Sequence, residues 1–357
     1  MPTQQQHAAV SRPSTPRLDV VSLPEILFSH PVTLHFELPA SEGSRCIGQE
    51  AVDVREFGLR FGPRLGELLL GIAYAWRILR STRSNKILVT GRCGQMYAAL
   101  RGLLPRRPKP HVLLGVEWLH RHRRWWRRLI SVWDHRLIAR GVWKIQVFCE
   151  SEIADYANYY GIDRNKFVWI PYCSDVGDQD YLACERDYVF TGGTQDRDYD
   201  TLFRAIDGLP VQLRVAARED RVSAEHIPSN VLLQGRLSKD DFWSTLAGAK
   251  VVVLSLDPEV MRRPGVITYV TAMRLGKCVI VNDPRGARSY IADGKTGSIV
   301  PARDPGALRS ALSRVLEDSS LRKRLGANAR DYATRHFGVD RYVNDLATLL
   351  RRWRSAG

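Results

Sequence analysis

The chain has 357 residues, enough for two domains of ordinary size, each with its own core. Its formal net charge of +15 points to an anionic partner, while 44% hydrophobic and 25% charged residues are the proportions of an ordinary globular protein. No apolar run approaches the ~18 to 20 residues of a membrane span, and six scattered cysteines without a CxxC pair exclude a zinc ribbon or a disulfide framework.

In chain order, residues 1–20 are polar and carry Pro and Ser with no apolar core before a cleavage site, so a disordered tail is expected and not a secretory signal. Residues 21–173 read as one α/β domain. A buried helix is expected over 65–80, then strands over Lys86 to Thr90, Val112 to Val116, Ile145 to Cys149 and Phe167 to Ile170. Between the strands lie helical patterns over Gln95 to Leu104, Trp118 to Arg140 and Ser151 to Tyr160. Pro171-Tyr172-Cys173-Ser174-Asp175, with Gly177 close by, is a turn-rich linker and a candidate hinge.

Residues 174–337 repeat the scheme, with strands expected over Tyr188 to Thr191, Leu213 to Ala216, Val231 to Gln234, Val251 to Ser255 and Cys278 to Val281. Strands alternating with helices imply parallel sheets covered on both faces. In residues 338–357, Val339, Tyr342, Val343, Leu346, Leu349, Leu350 and Trp353 make a full amphipathic stripe, which serves equally to cross back onto the first domain or to pack on the second.

The charge is unevenly placed. Arg106, Arg107, Lys109, Arg121, Arg123, Arg124, Arg127, Arg128, Arg136, Arg140 and Lys144 crowd one region against only Glu117 and Asp134. The helix over residues 118–140 carries Trp118, Trp126, Leu129, Ile130, Trp133 and Leu137 at a period near 3.6. Two readings stay open: a Trp/Arg-rich face for peripheral binding to an anionic membrane, or a domain-core stripe whose arginines are solvated. Nucleic acid is disfavoured, because no RNP, zinc-finger or KH pattern accompanies the basic residues.

The densest pattern is Gly265 to Val300, GVITYVTAMRLGKCVIVNDPRGARSYIADGKTGSIV: a helix stopped by Gly276, a buried strand and a glycine-bearing loop. A helix opening at Pro264-Gly265, straight after a strand, offers unpaired N–H groups to a phosphate. The runs AMRLGKCVIV, ADGKTGSIV, DPGALRSALSRVLED and LRKRLGANAR, with FTGGTQDRDYDTL and NVLLQGRLSKDDFWSTLAGAKVVVLSL upstream, resemble the C-terminal half of nucleotide-sugar glycosyltransferases of the GT-B fold, family 4 above all. The resemblance covers about Asp187 to Phe337. It implies two Rossmann-like parallel-sheet domains facing across a cleft, acceptor-binding over 21–173 and donor-binding over 174–337, with the terminal helix returning to the first.

The same resemblance implies a UDP- or GDP-sugar as co-substrate, no cofactor, no metal, retention of anomeric configuration, and a saccharide or lipid-linked acceptor. The setting would be the cytoplasm, peripheral at the inner face of the plasma membrane. Gly192, Gly193 and Thr194 would let backbone approach the diphosphate, with Arg197 as its guanidinium clamp. Arg236 and Leu237 follow the strand whose loop borders the nucleobase, although Ser238 there also reads as a simple helix cap. Gly265, Val266 and Ile267 open the phosphate-facing helix.

Where the family carries two glutamates eight positions apart, this chain has Arg263 and Thr271. Thr271 would keep one hydroxyl for ribose, Arg263 would neutralise the leaving diphosphate, and Glu259 would recover the sugar contact. On the acceptor side, Glu117 and His120 follow a strand end and are the catalytic candidates beside Arg197. A GT-B epimerase would need acid/base carboxylates on both faces of the sugar, and no such set stands out in this sequence. A non-catalytic sugar-nucleotide or partner-binding protein remains the alternative, because the glutamates are missing.

Overall fold

The computed structural model describes residues 27–28, 45–46, 87–104, 111–116, 118, 125–176, 181, 185–193, 196–222, 224, 226–259, 265–282 and 286–355. The tail expected over 1–20 and the helix expected over 65–80 lie outside those residues.

The first lobe holds β1 (Leu27–Phe28), β2 (Arg45–Cys46), β3 (Ile87–Thr90), α1 (Gly91–Leu103), β4 (Val112–Leu114), α2 (Trp125–Gly141), β5 (Lys144–Val147), α3 (Glu150–Tyr160) and β6 (Phe167–Trp169). The second holds β7 (Tyr188–Gly192), α4 (Tyr199–Ile206), β8 (Gln212–Ala216), β9 (Val231–Leu233), α5 (Lys239–Gly248), β10 (Val251–Leu254), α6 (Val266–Arg274), β11 (Cys278–Asn282), β12 (Ser298–Val300), α7 (Pro305–Glu317) and α8 (Ser319–His336), followed by α9 (Val339–Ser355). Among the described residues each lobe contains a six-stranded sheet, ordered β2-β1-β3-β4-β5-β6 and β12-β11-β10-β7-β8-β9. Every pairing between these strands, among the described residues, is parallel.

Burial explains why these runs become strands. Along β10, Val251 and Val253 pack in one cluster with α4 and α7 residues, while Val252 and Leu254 pack in another with α5 and α6 residues, so both faces of the sheet are covered. In the second sheet the chain winds outward from β7 to β9, then restarts at β10 and winds the other way. The carboxyl ends of β7 and β10 therefore flank a topological switch point, the place where open α/β sheets take ligands.

The linker ties the lobes together through specific bonds. The Tyr172 N–H donates to the Tyr290 hydroxyl at 2.9 Å, and that hydroxyl donates in turn to the Phe148 carbonyl of the first lobe. The Ser174 N–H donates to the Phe337 carbonyl at 3.0 Å, and Arg274 Nε donates to the Val176 carbonyl at 2.9 Å. Past that point α9 lies on the first sheet: Tyr342, Leu346 and Leu349 pack with Val112, Leu114, Ile170 and Cys173. Buried Gln146 anchors the contact, its Oε1 accepting from both the Tyr342 hydroxyl and the Gly115 N–H at 3.2 Å.

One expected element differs. Trp118 is not part of α2, which begins at Trp125. It is buried, with His135 edge-on at 4.6 Å and its carbonyl accepting from the Tyr160 hydroxyl at 2.8 Å. A chain leaving β4 at this depth satisfies its buried backbone through tyrosine hydroxyls instead of a helical ladder. Among the described residues no helix is long and apolar enough to cross a membrane.

Candidate donor site at the second switch point

The loop leaving β7 and the loop leaving β10 are paired. The Asp198 N–H donates to the Ser255 carbonyl at 3.0 Å and the Asp257 N–H to the Asp196 carbonyl at 3.1 Å, with Arg197 and Leu256 forming an antiparallel bridge. Asn282, at the end of β11, holds the same strand exit by accepting from the Leu256 N–H at 2.8 Å. These contacts set Arg197 across the switch point. Its Nε and Nη2 donate to the Gly192 carbonyl at 3.1 and 3.0 Å, and the Tyr199 hydroxyl donates to the Gly193 carbonyl.

Gly193 has φ 109°, and a Cβ there would collide with the Arg197 guanidinium. Glycine is what lets the guanidinium lie flat on this loop. Burial pulls the Arg197 pKa below the usual guanidinium value, with Tyr199 and Asp196 opposing, and the group stays charged at neutral pH.

Gly265 closes the third side. It sits at φ 80° before α6, and a Cβ on it would lie 3.4 Å from Leu254 and Leu256 and 3.6 Å from Arg197 Nη2. The helix it opens carries no side-chain cap, whereas α4, α5, α7 and α8 are capped by Asp198, Ser238, Asp304 and Asp318. Gly265 thus offers no side-chain acceptor to the first-turn N–H groups of α6, at Val266 and Ile267, and an arginine lies beside it. That is the arrangement that holds a phosphate oxygen.

The other expected residues are distributed more widely. Thr271 is buried, and its hydroxyl shares a 2.8 Å hydrogen bond with Ser174 of the linker. Glu259 is exposed and pairs with Arg303, Oε1 to Nη2 at 2.9 Å. Arg236 is exposed after Gly235, Leu237 packs on the core, and Ser238 Oγ accepts from the Asp241 N–H at 3.1 Å as the cap of α5. Thr194, Arg263, Glu117 and His120 lie outside the described residues. Among the described residues, no three His, Cys, Asp or Glu side chains gather as metal ligands would.

Three contributors escaped the sequence reading. Tyr199 steadies the Gly193 carbonyl, Asn282 pins the β10 exit, and Tyr290 bridges the lobes. A polar residue ending an apolar strand was a usable signal for Asn282; nothing local marks the other two.

Residues 212–332 match the model of the family described as glycosyl transferases group 1. The solved structure of HepE from Anabaena in complex with UDP superposes with a TM-score of 0.66 at 15% identity, covering 92% of this chain and 100% of that one. The chain has the GT-B glycosyltransferase fold. Sucrose-phosphate synthase from Thermosynechococcus elongatus shares it, at a TM-score of 0.62 and 15% identity over 90% of this chain and 84% of that one. So does WaaG, a glycosyltransferase involved in lipopolysaccharide biosynthesis, at 0.56 and 16% over 88% of each.

By sequence, this GT-B chain is 25% identical over 133 residues to the alpha-D-kanosaminyltransferase of Streptomyces kanamyceticus. That match covers 37% of this chain and 33% of that protein. It is also 25% identical over 85 residues to an uncharacterised glycosyltransferase of Methanocaldococcus jannaschii, covering 24% and 22%. The chain thus aligns with a third or less of the length of these curated relatives.

Proposed function

We propose that the chain is a retaining, metal-independent glycosyltransferase that moves a sugar from a UDP- or GDP-sugar to a saccharide or lipid-linked acceptor. It would work in the cytoplasm at the inner face of the plasma membrane, in cell-surface polysaccharide or glycolipid assembly. One observation carries this reading: Gly193, Arg197 and the uncapped α6 N-terminus meet at the switch point of the second sheet. A departing diphosphate gains charge as the anomeric bond breaks, and a fixed guanidinium with helix N–H groups stabilises that charge where a divalent ion otherwise would. Glu117 and His120 supply the acceptor-side chemistry, with the acceptor hydroxyl attacking on the leaving-group face. The UDP in the HepE complex supports the donor class.

Binding without turnover is the second reading, favoured by one feature: Thr271, where a carboxylate is expected, spends its hydroxyl on Ser174. A panel of nucleotide sugars in a thermal-shift assay, followed by product analysis with and without a chelator, separates the readings. The preferred sugar at 100 Kd is expected to add about 2.7 kcal/mol of stability. Transfer is expected to proceed unchanged in chelator. A shift without product selects the second reading, no shift for any sugar ends both, and loss of turnover in chelator ends the metal-free mechanism.

A further inference from the structure

The first lobe carries an apolar surface that the donor chemistry does not use. On α2, Trp126, Leu129, Ile130 and Trp133 stand at helical spacing i, i+3, i+4 and i+7, so they form one stripe, and they are 41 to 66% exposed. The opposite side of α2 does the packing: Ile138 and Ala139 are buried, and His135 stacks on Tyr160 at 4.3 Å. An amphipathic helix in a folded domain normally turns its apolar stripe inward. Here a second apolar stripe faces water.

The neighbouring helix extends the surface. A Cβ on Gly102 of α1 would strike the Leu137 carbonyl of α2, and one on Gly141 of α2 would strike the Ala98 carbonyl of α1. Ala98 lying by Gly141 while Gly102 lies by Leu137 means that the helices run antiparallel in close contact. The C-terminal end of α1 therefore lies toward Trp133. Its Leu103 and Leu104 are 62 and 44% exposed.

The charge around this surface selects its partner. Residues 101–144 hold twelve Lys and Arg against two acidic residues, and Arg128, Arg136 and Arg140 on α2 are exposed. A second copy of the chain would bring two such basic regions face to face. Nucleic acid would find stacking partners in Trp126 and Trp133 but would leave Leu103, Leu104, Leu129 and Ile130 without an apolar partner. An anionic bilayer satisfies both features: hydrocarbon accepts the leucines and isoleucine, indoles favour the headgroup level, and lipid phosphates meet the arginines.

We infer that the exposed corner of α1 and α2 is a docking surface for an anionic membrane. It gives the proposed membrane location an address on the molecule and does not depend on the donor site. Flotation with vesicles of phosphatidylcholine, with and without phosphatidylglycerol, tests it.

The wild-type chain floats with the anionic vesicles at low salt and is released as salt rises. The double variant Ile130→Ser, Trp133→Ser loses anionic-vesicle binding about 10-fold or more, while its melting temperature and nucleotide-sugar shift stay with the wild type. Failure of the wild type to float, equal flotation with the neutral vesicles, or unchanged flotation of the variant overturns the inference. So does a wild-type dimer that the double variant dissociates, because the occupant is then a second copy. The surviving nucleotide-sugar shift keeps these failures distinct from failure of the donor reading.

Discussion

Arg197 concentrates the contacts of the second switch point in one side chain. It is bonded to the Gly192 carbonyl, lies against Gly193, and comes within 3.6 Å of the point where a side chain on Gly265 would begin. Arg197→Ala is expected to lower kcat/KM about 100-fold, the usual cost of losing one fixed donor to a developing anion. Arg197→Lys should recover only part of that, since an ammonium restores charge without the two-pronged geometry. Steady-state kinetics on the purified variants checks both, and an unchanged Ala variant removes Arg197 from the mechanism.

At this scale the sequence was informative where the backbone itself was constrained. Gly193 and Gly265 stood out because a strand ended beside each, and both adopt the positive φ that glycine favours. Thr271 was less legible. Its place in the helix could be read, but its partner Ser174 lies far away in sequence and is brought near only by the folded linker.

Among the elements, strand positions were readable to within a residue or two, because short Val/Ile/Leu runs buried on both faces have little else to become. Expected Val251 to Ser255 is observed as Val251–Leu254, and expected Cys278 to Val281 as Cys278–Asn282. β12 was missed, since Ser298–Val300 is three residues long and follows a glycine-rich loop. The 118–140 pattern misled for a physical reason: it is apolar on two sides. Periodicity cannot say which side is buried, and the packing seats Trp118 outside the helical segment, against His135, while leaving Trp133 in water.

The linker elements make their own prediction. Tyr290→Phe leaves the Tyr172 N–H without its acceptor at a buried junction, while the Phe148 carbonyl keeps the Trp169 indole N–H as a donor. A cost of about 1–3 kcal/mol is expected in urea unfolding. A variant as stable as the wild type would show that the junction is held by packing alone.

On the scale of the molecule, α9 makes the two lobes interdependent. Removing residues 338–357 takes Tyr342, Leu346 and Leu349 off the first sheet and leaves Gln146 without the Tyr342 hydroxyl. Hydrogen-exchange mass spectrometry of the truncated chain should show protection falling across β4, β5 and β6 while β7 to β11 stay protected. Equal loss in both lobes would contradict that division. The amphipathic stripe of α9 was plain in the sequence, yet its destination was not, because a stripe encodes burial without naming the surface that provides it.

The return of α9 also sets an order on biosynthesis. Leu114 leaves the ribosome on the order of 200 residues before Tyr342, which at about 5–20 residues per second is a delay of roughly 10 seconds or more. Throughout that interval the nascent first sheet has an apolar face whose native cover has yet to be translated. The early lobe must therefore be sheltered or remain loosely assembled until the last helix arrives.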